Sequence, residues 1–140
     1  MIRKALKNIR EGRVQKLLAA TAAMSAPALG SEIYFEHYKG SFGDKWMWTP
    51  LVLTPPLTAA GIAGFFSEKA ARRALPAVSA LYFLDGLIGI VTHLQGVRKR
   101  PGGLKEAHYN LVMGPPLLAP GSLVLVGGMA MLAALMRRER

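Results

Sequence analysis

Seven ionisable side chains stand in or beside apolar stretches of this sequence. Glu32, Glu36, His37, Asp85 and His93 fall inside them, and Glu106 and His108 lie just outside. Charged or titratable groups in hydrocarbon are costly, and those retained are usually paired or functional. Histidines on neighbouring helices can hold a haem, and histidines with carboxylates can hold iron, copper or zinc. On that reading His37, His93 and His108 are the candidate cofactor ligands. Glu32 and Glu36, four residues apart on one helix face, are the candidate metal carboxylates. No Glu-x-x-His or His-x-x-x-His pair accompanies them. A second reading is structural: the carboxylates pair with Lys39, Lys45 or the run Arg98-Lys99-Arg100, and the histidines cap helix ends. In a third, the same groups carry protons or hydrogen-bond a quinone or pigment. Asp85 is the best single candidate for intramembrane polar chemistry, as the one carboxylate near the middle of an apolar block. It sits about 12 Å deeper than His93 by helical rise.

The elements that must position these groups follow from composition. The chain has 140 residues, 51% hydrophobic and only 19% charged, with mean hydropathy +0.26. Soluble domains are nearer one-quarter charged. The apolar residues fall in four blocks, about 14–38, 46–66, 74–95 and 111–136, each long enough to cross a core of about 30 Å as a helix. None alternates with the period of two that a membrane barrel strand needs. The expectation is an all-α integral membrane protein with a single membrane domain over 1–140. Ala26-Pro27-Ala28 resembles a signal-peptidase site, but the first block is read here as a retained span.

Lysine and arginine in short loops orient such a bundle. Arg3, Lys4, Lys7, Arg10, Arg13 and Lys16 precede the first span. Lys69, Arg72 and Arg73 join spans two and three, and Arg137, Arg138 and Arg140 end the chain. Together they place twelve basic residues on one side against six on the other, which predicts both termini inside, in a bacterial inner membrane. Tyr34, Tyr38, Trp46, Trp48 and Tyr109 gather near the predicted outer interface, where amphipathic rings anchor. Through the basic segment 1–13 and into the first span, Ile2, Leu6, Ile9 and Val14 stand among the basic residues. The segment reads as an amphipathic interfacial helix whose Arg3, Lys4, Lys7, Arg10, Arg13 and Lys16 meet anionic lipid head groups.

The sequence also matches itself. Leu51 to Gly61 aligns without a gap to Leu111 to Gly121, with seven of eleven positions identical, including Pro55-Pro56 and Pro115-Pro116. Upstream, His37-x-x-Gly40 parallels His93-x-x-Gly96. This predicts two parallel-repeat hairpins forming a pseudo-two-fold four-helix bundle. Spans two and four should kink or break near Pro-Pro, because each proline removes a donor and crowds the preceding turn. Thr54 can return a bond to its own backbone, and Gly61, Gly64, Gly121, Gly127 and Gly128 offer flat contact surfaces.

Other chemistry is excluded. The chain has no cysteine, hence no disulfide, thiolate metal site or iron–sulfur cluster. It carries no phosphate-cradling loop and no Gly-x-Ser-x-Gly elbow. No nucleic-acid fold accompanies its net charge of +10. The leading expectation is a small accessory subunit of a larger membrane complex, respiratory or photosynthetic in type, with no catalysis of its own. Its partners are then the bilayer and other membrane subunits. The alternative is a haem-, metal- or quinone-binding redox protein built on the histidine and carboxylate cluster. A small dimeric transporter is the third.

Overall fold

Glycine sets the first corner. A helix over Ile2–Arg10 (α1) ends two residues before Gly12, whose φ of +78° lies in the left-handed region that glycine enters without a steric penalty. The second helix, Arg13–Lys39 (α2), starts there. In this computed structural model, which describes residues 1–136, a 3-10 turn over Lys45–Trp48 follows, then Thr49–Phe66 (α3) and Glu68–Lys99 (α4). A short helix, Ala107–Val112 (α5), and a last one, Leu118–Leu135 (α6), complete the fold. No strand occurs among the described residues. Only Ser67 separates α3 from α4, and its hydroxyl accepts from the N–H of Ala70.

Among the described residues three segments are long and apolar enough to cross a membrane: Lys45–Phe66, Glu68–Lys99 and Leu118–Leu135. The expected first span, 14–38, is a single 27-residue helix, α2, but it does not reach that apolar composition. Its interior is alanine, and Gln15, Lys16, Glu32 and Glu36 dilute it. The third span extends well past 74–95. At 32 residues α4 is roughly 48 Å long, so its charged ends clear a 30 Å hydrocarbon layer. Arg137, Arg138 and Arg140 lie outside the described residues.

α2 packs on α3 and α6, and α4 packs on the same two helices. Small residues make the seams. On α2 the buried residues Gln15, Ala19, Ala22, Ala26, Gly30 and Ile33 recur every three or four positions and form one face. On α4 Ala71, Leu75, Ser79, Tyr82 and Gly86 do the same. At Gly86 an added Cβ would stand 2.7 Å from Val124 N and 2.9 Å from Pro120 O, so the backbones of α4 and α6 nearly touch. Gly61 meets Ala19 and Ala23 of α2, Gly64 meets Leu75, and Gly127 meets the backbone of Phe83 at similar range. Gly121 has nothing within 4 Å. The large apolar side chains turn outward instead: Val52, Ile62, Leu84, Leu125 and Leu132 are all more than half exposed. An exposed apolar surface of that extent suits lipid or a protein partner.

The two Pro-Pro pairs have different outcomes. Pro55 and Pro56 sit inside an unbroken α3. There Thr54 Oγ1 donates to Pro50 O at 2.8 Å and Thr58 Oγ1 to Thr54 O at 2.9 Å, hydroxyls returned to their own backbone. Pro115 and Pro116 lie in the non-helical link 113–117, so the expected fourth span, 111–136, is divided into α5 and α6. The residue before each pair separates the two. Thr54 remains helical. Gly114 makes a turn so tight that a Cβ there would collide with Asn110 O.

The glycine contacts make a direct prediction. Gly86→Leu has no room against α6 and should destabilise the bundle by about 1–3 kcal/mol, the usual cost of overpacking. Gly121→Ala should be neutral or slightly stabilising, since it adds helix propensity in open space. Thermal unfolding of both variants in detergent checks the pair.

Candidate functional site

The helix faces that bury α2 and α4 also aim their histidines. His37 lies four residues after Ile33 on the buried stripe of α2. His93 lies seven after Gly86 on that of α4, and Asp85 flanks the same face. All three line one cavity of about 300 Å³. Ile33 of α2, Pro50 of α3, Ile88 of α4 and Leu123 of α6 supply apolar wall, and Thr49 and Thr92 add hydroxyls.

Prolines fix the orientation of the rings. His93 Nδ1 is 2.7 Å from Pro116 O. Four residues on, where a helix would supply the N–H for that carbonyl, stands Pro120, which has none. His37 Nδ1 is 2.6 Å from Met47 O, and Pro50, three residues on, likewise has no N–H to give. A carbonyl oxygen only accepts, so both rings carry their proton on Nδ1. Among the described residues neither Nε2 makes a hydrogen bond. In its neutral form each is therefore a free acceptor beside the cavity.

Asp85 is held from α3. Its Oδ1 lies 2.6 Å from Thr49 Oγ1, which is also 2.8 Å from Trp46 O. Thr49 has one hydroxyl proton for two acceptors, so this corner has capacity for one more proton. The link between α2 and α3 shapes the wall here. Ser41 and Phe42 adopt positive φ of 55° and 46°, uncommon for residues with side chains. The stacking of Phe42 on Trp48, 4.1 Å between centroids, holds that turn closed. Asp44 accepts from the N–H of Trp46 at 2.9 Å and starts the 3-10 turn that brings Trp46 and Met47 to the cavity.

No protein family, curated protein or solved structure matches the chain. The site therefore rests on its own geometry. The other residues singled out in the sequence lie elsewhere. His108 is exposed on α5, away from the cavity lining. Glu32 is exposed, and half-buried Glu36 pairs with Lys39 beside it. Among the described residues no group of three His, Asp or Glu side chains is placed to hold a metal ion.

Sequence reasoning passed over Asn110, which is 1% exposed. Its Nδ2 donates to Pro101 O and Gly103 O, each at 2.9 Å, and its Oδ1 accepts from Arg100 Nε at 3.4 Å. These bonds tie the 100–106 turn to α5, just before the link that presents Pro115 and Pro116. Nothing in the residue type announces such a role; only the crowding of Gly and Pro around it hints at carbonyls in need of donors. Asn110→Ala leaves two carbonyls without their donor and should cost about 1–3 kcal/mol. Hydrogen exchange should report faster opening over 100–117, with α2 and α3 unchanged.

Proposed function

We propose that the chain is a multi-pass membrane protein and that its cavity binds a small, largely apolar molecule whose head group donates hydrogen bonds, of the quinol type. The observation that carries this reading is the convergence of His37, His93 and Asp85 on one mostly apolar cavity. Small-molecule sites combine apolar walls with a few placed polar groups, and the cavity's size is at the lower end of their range. A ring with a few substituents suits it better than a tetrapyrrole macrocycle. The two Nε2 acceptors and the Asp85–Thr49 corner match hydroxyl donors. In this reading α2 crosses the bilayer with α3, α4 and α6, with both termini inside a bacterial inner membrane and the cavity near the outer interface. The hairpins α2–α3 and α4–α6 are the two copies of the repeat. Tyr34, Tyr38 and Trp46 are all exposed near that same end, as anchors would be.

A second reading is supported by the outer surface. Leu, Ile, Val and Phe side chains stand exposed along α3, α4 and α6, and the connections between helices are short. Such a surface suits packing against larger membrane subunits, as an accessory subunit would. The two readings are compatible where a partner completes the cavity.

Trp46 lines the cavity and serves as a reporter. In a Trp48→Phe background, titration with a short-chain quinol should quench Trp46 saturably. His93→Ala and Asp85→Ala should each weaken binding roughly 5- to 10-fold, the value of one hydrogen bond of about 1–1.5 kcal/mol. A titration with no saturable change, on a chain that migrates within a larger native complex, removes the ligand reading in favour of the accessory one.

A further inference from the structure

Among the described residues, nothing covers the apolar face of α1. None of its residues is buried. Ile2, Leu6 and Ile9 recur at four- and three-residue spacing on one side and are 77%, 58% and 45% exposed. Arg3, Lys4, Lys7 and Arg10 occupy the rest of the surface. The corner at Gly12 turns α1 away from the line of α2. Among the described residues the carboxylate beside α1 is Glu11, which is engaged by Lys7 and Arg13 at 3.8 and 3.2 Å and so does not offset the excess charge.

The bundle places further cations at the same end. Gly61 meets Ala19 and Ala23, and Gly64 meets Ala71 and Leu75, so the start of α2, the end of α3 and the start of α4 lie level. Lys69, Arg72 and Arg73 open α4 there, with Glu68 paired to Arg72. A short helix with an apolar stripe bordered by cations, beside the ends of apolar helices, has the chemistry of an in-plane membrane anchor. Its charge is complementary to anionic head groups.

We propose that α1 lies along an anionic lipid leaflet, with Ile2, Leu6 and Ile9 in the acyl boundary and its basic residues among the head-group phosphates. This rests on the membrane reading of the bundle. Because the chain has no cysteine, single labels are clean. The full-length Leu6→Cys variant, carrying an environment-sensitive fluorophore, is reconstituted in vesicles of phosphatidylcholine alone or with phosphatidylglycerol. Leu84→Cys, exposed on the outer surface of α4, and Lys4→Cys, on the opposite side of α1, carry the same label. The Leu6 label should shift to the blue and be shielded from an aqueous quencher only with phosphatidylglycerol. The shift should weaken at high salt, while the Lys4 label stays aqueous in both lipids. Replacing Arg3, Lys4, Lys7 and Arg10 by Gln should abolish the lipid preference. A Leu6 label that is aqueous in both lipids, or equally shielded in both, overturns the proposal while a shielded Leu84 label preserves the membrane reading. An aqueous Leu84 label overturns both.

Discussion

The backbones of α4 and α6 nearly touch at Gly86, and the site depends on that contact. A side chain there would run into Val124 N, Pro120 O and the Cβ of Leu123, all within 3 Å. Gly89, one turn on, sits against the ring of Pro120, and Gly96 against the ring of Pro115. The close approach therefore runs along the seam towards the 113–117 link. It puts His93 within reach of Pro116 O and leaves Asp85 facing the space that α2 and α3 enclose. Small residues are the means by which membrane helices approach so closely, because lipid gives no hydrophobic drive to pack large ones.

The prolines turn that proximity into hydrogen bonds between helices. A carbonyl without a donor is expensive where water is scarce, so each must be satisfied by protein. Pro120 denies Pro116 its helical donor, and His93 supplies one from the neighbouring helix. His37 does the same for Met47. A single arrangement thus closes the backbone, fixes two tautomers and leaves two imidazole nitrogens free. Structural capping and ligand binding are consistent with one another here, since each ring uses one nitrogen for each task.

Much of this was legible in the sequence. Apolar blocks gave the helices, and polar residues within them marked His37, His93 and Asp85. The rest was hidden for physical reasons. Identical Pro-Pro motifs diverge because Thr54 tolerates a helix and Gly114 permits a turn, a difference of one residue read in context. α2 has the length of a span but a less apolar composition than α3, α4 and α6, because Gln15, Lys16, Glu32 and Glu36 dilute a run of alanines that pack. Glu32, Glu36 and His108 lie outside the cavity lining, since linear spacing does not fix which way a side chain faces. The register of small residues, Ala26-Gly30 on α2 and Gly86-Gly89 on α4, is the signal that would have chosen among them.

The most direct test of the account is the protonation of the imidazole nitrogens, read by nitrogen-15 NMR of the histidine-labelled protein in a bilayer. The chain has only three histidines, and His37→Gln and His93→Gln variants assign the two of interest. At a pH where they are neutral, both should carry hydrogen on Nδ1 and none on Nε2, and an added quinol should shift the Nε2 signals alone. Hydrogen on Nε2 in either ring, or two freely exchanging tautomers, would contradict the carbonyl-held geometry on which the site is built.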